Sequence, residues 1–333
     1  MPSSPSAPLV SVCIPCFNAQ EFVAEAIESA LGQTHPRVEV VVVDDGSSDA
    51  SVAILEKFGD KIVFEASPNR GACAARNRAL ALSKGQYIQF LDADDRLVPR
   101  KIERQLPYLL RGEADLVFCR GFIFGDGKPM RPKKKSIVDP QGIDPFVYCL
   151  KQGLSTEGPL HRREWVERVN GFNESLKRAQ ELDFHLRLAA CDARILLLDD
   201  LLYQHRDHSG PRITRGSQPV DQMLLLLLDL SENLETSPYR FTPERRAALA
   251  GAIFQHSIYA FRGGAPQTAR RGFARARSLA ELFDYEERRT YKMLVSAIGP
   301  MAVEHSLSVG RRAKAMLGSK SKPRIQQITE EQA

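Results

Sequence analysis

Three polar segments, each closing an apolar run, constrain this chain more than any other feature. Leu9–Ile14 leads into Pro15-Cys16-Phe17-Asn18, Val38–Val43 into Asp44-Asp45-Gly46-Ser47, and Tyr87–Leu91 into Asp92-Ala93-Asp94-Asp95. Val38–Val43 is valine at every position but Glu39, the composition of a strand buried on both faces. Between the runs the period changes to that of a helix. Phe22, Val23, Ala26, Ile27, Ala30 and Leu31 recur at helical spacing across 19–32, and Ser47, Ser48 and Asp49 offer an N-cap for a helix over about 50–58. Further strands are expected at Ile62–Glu65, Asp115–Phe124 and Arg194–Leu198, and further helices at 71–83, 99–111, 145–152, 162–169 and 179–190. Alternation at this pitch means a mostly parallel sheet covered by helices. Ligands of such sheets bind beyond the carboxyl ends of the strands. The three polar segments should therefore meet at one edge.

From residue 219 onward the pattern is helical only, broken by Ser-Pro, Gly-Gly and Gly-Pro, and residues 266–282 space Ala269, Phe273, Ala276 and Leu279 as one apolar face. The fold class is thus α/β with a C-terminal all-helical extension. The expected divisions are a disordered tail at 1–8, a catalytic domain at 9–215, a helical extension at 216–318 and a disordered tail at 319–333. With 333 residues, 43% of them hydrophobic and 26% charged, the chain has material for a sizeable core. The longest purely apolar run, Met223–Leu228, is far short of the roughly 20 residues of a membrane span and is read as buried packing. Residues 1–8 lack the charge and apolar core of a signal peptide, so a cytoplasmic location is expected. Cys13 and Cys16 form a C-x-x-C, but it lies on an apolar strand end with no second pair, and reduced, buried thiols are expected.

Charge is unevenly distributed. Residues 1–95 hold seven Lys/Arg against thirteen Asp/Glu, although the whole chain is +5. An acidic half suits a divalent cation and is a poor match for a nucleic-acid backbone, so no nucleic-acid partner is expected. Asp44, Asp45, Asp92, Asp94 and Asp95 at one sheet edge would repel one another strongly at reduced dielectric. Hard oxygen ligands call for Mn²⁺ or Mg²⁺, and magnesium completes its shell with substrate phosphates. A D-x-D at a strand end therefore points to a nucleoside-diphosphate ligand.

SVCIPCFNAQEFVAEAIESALGQT, VVVVDDGSSDAS, NRGACAARNRALALSKGQYIQFLDADD and GFNESLKRAQELDFHLRLA resemble, in order, the motifs of the family-2 glycosyltransferases, inverting enzymes of the A-type glycosyltransferase fold. The resemblance runs from Leu9 to Ile213 and does not reach beyond 219. It implies a nucleoside-diphosphate-sugar donor, most often a UDP-sugar, with Pro15, Phe17 and Asn18 around the base and ribose and Asp45 accepting from the base N–H. Arg76 would lie along the nucleotide or its pyrophosphate. Asp92 would contact ribose or metal, Asp94 would ligate Mn²⁺ or Mg²⁺, and His208 would add a nitrogen ligand or touch the diphosphate. The family's general base sits in an acidic pair at a helix start. Here that stretch reads Gln180-Glu181-Leu182-Asp183-Phe184, a departure that leaves Glu181 as the base and Asp183 as its alternate.

The acceptor implied is a hydroxyl of a glycan or lipid-linked intermediate. KPMRPKKK (128–135) holds five basic residues in eight, and 305–324 holds six without an acid. The first suits a solvated face or an anionic acceptor; the second suits weak peripheral contact with an anionic inner membrane surface. Two alternatives stand beside the enzyme reading. A sugar-nucleotide pyrophosphorylase lacks its Gly-rich phosphate loop here, and a non-catalytic binding scaffold draws its support from the Gln180-Glu181 departure alone. The oligomeric state, the sugar and the linkage are not readable from the chain.

Overall fold

The computed structural model describes residues 7–125, 127–133, 138–208, 220–236, 239–285 and 289–318. Apart from Ala7 and Pro8, the expected tails lie outside those residues, as do the division at 215/216 and Ser209 and Gly210 of the segment after Tyr203. The chain divides into two compact units, one of residues 1–217 and 234–245, the other of residues 218–233 and 246–333.

The first unit is built on one sheet of β1 (Val10–Cys16), β2 (Val38–Asp45), β3 (Val63–Ser67), β4 (Tyr87–Phe90), β5 (Arg96–Leu97), β6 (Leu116–Gly125), β7 (Lys128–Pro132), β8 (Leu160–Arg162) and β9 (Ile195–Arg206). Their order is β3-β2-β1-β4-β8-β6-β9-β5, with β7 paired to β6. The first four strands run parallel, and so do β6 and β9; β8, β5 and β7 are antiparallel to their neighbours. Val10, Val12, Ile14, Val40, Val41, Val42 and Val43 are buried, as expected of central strands covered on both faces. The covering helices are α1 (Val23–Leu31), α2 (Ser51–Glu56), α3 (Ala72–Leu82), α4 (Lys101–Leu110), α5 (Pro145–Gln152), α6 (Arg163–Arg168) and α7 (Gln180–Ala190). Register sets the functional edge: Cys16 pairs with Asp44 and Asp45 with Ser67, while the Leu91 N–H donates to the Cys13 carbonyl, 3.0 Å away. Three strand ends therefore finish side by side.

The sheet is more mixed than its periodicity suggests. β5 and β8 are two and three residues long, too short to show a period. β7 lies inside residues 125–145, whose Gly, Pro and Lys content by itself suggests a long loop, and forms by pairing Arg131 with Ile123. The expected strand Arg194–Leu198 continues to Arg206 because a register shift between Cys119 and Gly121 absorbs Asp199 and Asp200. Those two acids then pair outward with Arg120 and Arg104.

α8 (Gln222–Thr236), α9 (Pro243–Arg262), α10 (Pro266–Leu279), α11 (Arg289–Ile298) and α12 (Pro300–Gly318) complete the chain. Ala269, Phe273, Ala276 and Leu279 are all buried, as their spacing requires. Leu224, Leu227 and Leu228 are buried but Leu225 is 42% exposed, so the leucine run is not buried all round. Glu304 is fully buried and receives Arg262 and the Tyr291 hydroxyl, each at 2.8 Å. Among the described residues, no helix is long and apolar enough to cross a membrane.

One polar group sits at the heart of the first unit. Lys101 has no exposed surface, and its Nζ donates to Gln89 Oε1 (2.5 Å), Gln105 Oε1 (2.5 Å) and the Gly158 carbonyl (3.1 Å). Burial pushes its pKa down to about 8, so the ammonium persists at neutral pH with three acceptors for its three protons. Lys101→Met would strand those acceptors in the interior and should cost about 3 kcal/mol, read by urea unfolding at pH 7. Because the folded pKa lies below the unfolded 10.5, the unfolded chain binds more protons between pH 8 and 10.5. The wild type should therefore gain stability relative to the variant as pH rises through that window. A variant of wild-type stability would show the hub to be dispensable.

Candidate active site

The turns after β1 and β2 are latched to each other through side chains. Asn18 adopts φ 47, a left-handed conformation that Asn tolerates better than most residues. Its N–H donates to Ser47 Oγ (2.8 Å), and its Oδ1 accepts the Ser48 N–H (2.8 Å). Ala19 N–H reaches Ser51 Oγ (2.9 Å), Gln20 N–H reaches Asp49 Oδ2 (3.1 Å), and Ala50 N–H donates to Gln20 Oε1 (2.9 Å). Phe17, 52% exposed, stands beside this latch, next to half-buried Pro15. Behind the latch, the Cys13 and Cys16 thiols are both pushed up to about 12 by burial. They are inert packing, as expected of this C-x-x-C.

Asp44 is consumed locally, accepting the N–H groups of Gly46 (3.1 Å) and Ser47 (2.9 Å) and the Ser47 hydroxyl (2.5 Å). Asp45 reaches the next loop: Oδ1 accepts the Arg70 N–H (2.7 Å) and Oδ2 the Gly71 N–H (2.9 Å). Each of those oxygens keeps a second lone pair for a further donor. Gly71, at φ 98, then opens α3, which carries Arg76.

Arg76 joins two of the sequence-derived groups. It is 4% exposed; Nη2 donates to Asp92 Oδ1 (2.6 Å), Nη1 donates to Gln180 Oε1 (2.7 Å), and Nη2 lies 3.8 Å from Glu181 Oε1. The Phe172 ring lies beneath its guanidinium, 5.2 Å from the ring centre. Burial works against its charge, but Asp92 and Glu181 hold its pKa above the ordinary value. The residue before α7, Ala179, has φ 52 and ψ 30, a left-handed conformation costing a non-glycine about 1 kcal/mol. That strain accompanies a helix that starts directly with Gln180 and Glu181. Glu181 keeps 30% of its side chain exposed and accepts the Thr156 hydroxyl at 3.1 Å. Asp183 is placed otherwise: its Oδ2 takes Nε (2.9 Å) and Nη2 (2.7 Å) of Arg187, and its side chain is 9% exposed.

Asp94 meets the end of β9. His208 Nε2 is 3.1 Å from Asp94 Oδ2, its ring packs on Phe22 with centroids 4.8 Å apart, and Arg206 Nε donates to the Asp94 carbonyl (2.9 Å). A carboxylate oxygen and an imidazole nitrogen thus converge; the oxygen suits Mn²⁺ or Mg²⁺, and the nitrogen favours the transition metal of the two, Mn²⁺. Asp95 behaves differently from its neighbour. It is buried, accepting the Arg206 N–H (2.8 Å) at Oδ1, with His205 Nδ1 3.0 Å from Oδ2.

Glu157, buried on the turn between α5 and β8, joins Asp95 and His205 in a group whose candidate ligand atoms lie within 4.8 Å of one another. Desolvation first, and then the charge of the other carboxylates, holds both Asp95 and Glu157 well above the carboxylate range. Glu157 and Thr156 are the residues here that sequence reasoning missed, and His205 stood there only as a weaker neighbour of His208. Nothing in Ser155-Thr156-Glu157 has a period or a motif, and only the chain path brings it here.

Residues 11–170 match the model of the Glycosyl transferase family 2 family. The chain carries a family-2 glycosyltransferase domain. An uncharacterized glycosyltransferase of Rickettsia typhi is 33% identical over an alignment of 186 residues that covers 53% of this chain. The match spans 57% of that relative's length, so this chain corresponds to about three-fifths of it. Among solved structures, S. aureus TarS 1–349 in complex with UDP-GlcNAc superposes with a TM-score of 0.68 over 91% of this chain and 92% of its own, at 19% identity. The mannosyltransferase PcManGT of Pyrobaculum calidifontis, in complex with GDP-Man and Mn²⁺, gives 0.55 over 92% and 80%, at 18% identity. The sheet, its flanking helices and the C-terminal helices are those of the A-type glycosyltransferase fold.

Proposed function

We propose that this chain is an inverting glycosyltransferase moving a sugar from a nucleoside-diphosphate donor, a UDP-sugar by preference, to a hydroxyl of a glycan or lipid-linked acceptor. The observation that carries the reading is the buried Arg76 bridge, which ties Asp92 after β4 to Gln180 and Glu181 at the start of α7. One cation thereby joins the nucleotide side of the cleft to the side where an acceptor would be deprotonated. Pro15, Phe17 and Asn18 would flank base and ribose, Asp45 would accept from the base N–H, and Asp92 would hold ribose against Arg76. Glu181 would take the proton of the acceptor hydroxyl as its oxygen bonds to the anomeric carbon. The bond from that carbon to the diphosphate breaks in the same step, and the nucleoside diphosphate leaves with the electron pair. Asp94 and His208, with Asp92 at the rim, would hold Mn²⁺ or Mg²⁺, which supplies positive charge to the departing diphosphate.

Asp183, committed to Arg187, is the weaker base. The basic stretch 128–135 supports an anionic acceptor, and exposed Met293, Leu294 and Ile298 on α11 support weak peripheral membrane contact alongside the basic segment 305–324. The test is calorimetry of the intact chain with UDP, with and without Mn²⁺. Binding only when the cation is present is expected; UDP binding indifferent to Mn²⁺, or none at all, would overturn the donor assignment.

A further inference from the structure

The turn between α5 and β8 touches the candidate base, and the core holds it there. Thr156 Oγ1 donates to Glu181 Oε1 at 3.1 Å, and Thr156 is 5% exposed. Its neighbours are fixed from four directions. Gln89 Nε2 donates to the Glu157 carbonyl (3.0 Å); Gln105 Nε2 (2.9 Å) and Lys101 Nζ (3.1 Å) donate to that of Gly158. Ser155 Oγ donates to the Tyr203 hydroxyl oxygen (3.1 Å) on β9. A turn pinned by a buried ammonium and two buried amides has little freedom to move, so the Thr156 hydroxyl stands at a defined height over α7.

Resting on the reading of Glu181 as base, we propose that Thr156 is a positioning residue of the transfer reaction, aiming the Glu181 carboxylate from a turn fixed by Lys101, Gln89 and Gln105. A glutamate has one more rotatable bond than the aspartate the family pattern places at this position. A single donor that fixes one oxygen leaves the other oriented toward the acceptor, and positioning of this kind contributes strongly to rate. The ionisable groups around Glu181 are few. α3 offers Arg76, with Asp92 beyond it, and Cys73, whose thiol burial pushes up to about 11. On α7 itself stand Asp183, paired with Arg187, and buried His185.

Thr156→Val keeps the shape and removes the donor. Its kcat should fall about tenfold with the donor KM unchanged. Thr156→Ser should restore the rate; Thr156→Ala, which adds no new branch, repeats the test if valine perturbs folding. Wild-type kcat in the valine and alanine variants would overturn the proposal, as would a loss confined to thermal stability. Glu181→Gln, assayed alongside, separates the two readings: near wild-type turnover there would remove the base assignment itself and Thr156's role with it.

Discussion

Asp94→Ala should abolish cation-dependent nucleotide binding, weakening UDP affinity in the presence of Mn²⁺ by at least 100-fold and slowing transfer in proportion. The size follows from what Asp94 lacks. Asp44 is consumed by Gly46 and Ser47, Asp45 is anchored by the Arg70 and Gly71 N–H groups, Asp92 pairs with Arg76, and Asp95 is buried against Arg206 and Glu157. Asp94 instead faces His208 across 3.1 Å, so its oxygen and the imidazole nitrogen are the pair best placed to share an ion. Loss of an outer-shell partner alone typically costs 10- to 100-fold in metal affinity, and loss of a direct ligand costs more. The fold should survive, because Asp95 and Arg206 hold the turn without the Asp94 carboxylate. Calorimetry beside a thermal melt reads both, and undiminished Mn²⁺-dependent binding would remove Asp94 from the cation site.

Glu181→Gln should lower kcat by about 10²- to 10⁴-fold, the usual contribution of a general base, while donor binding stays at the wild-type level. Glutamine keeps the Thr156 bond and the shape but cannot accept the proton. Asp183→Asn gives the contrast. It breaks a largely buried ion pair with Arg187 and should appear as a stability loss of about 3 kcal/mol, with turnover reduced far less. Single-turnover rates and urea midpoints for both variants separate the roles, and equal turnover in Glu181→Gln and wild type would leave the protein without its proposed base.

The crowding of five carboxylates at one edge is a weaker case for an external cation than their bare count implies. Read as a sequence, Asp44, Asp45, Asp92, Asp94 and Asp95 appear as five unbalanced charges. Folded, the protein balances most of them itself, with N–H groups, the Ser47 hydroxyl and a buried guanidinium. The case for Mn²⁺ or Mg²⁺ then rests on Asp94 and His208. The family resemblance singles out His208 in the sequence, but its contact with Asp94 appears only in the fold.

The strands β1, β2 and β4, the helices between them and the edge they share were legible in the chain, because burial on two faces and helical spacing are local patterns written in neighbouring residues. The same holds for the apolar stripe on α10 and for the placement of Asp45, Arg76, Asp92 and Glu181 after strands or at helix starts. Tertiary structure alone decided what each polar group touches: that Arg76 bridges Asp92 to α7, that Asp183 belongs to Arg187, that Thr156 reaches Glu181, and that Glu157 lies beside Asp95 and His205. It alone made strands of β5, β7 and β8. Periodicity records which face of an element avoids water, whereas hydrogen bonds and ion pairs between residues 16 to 114 positions apart depend on a chain path that no local pattern encodes.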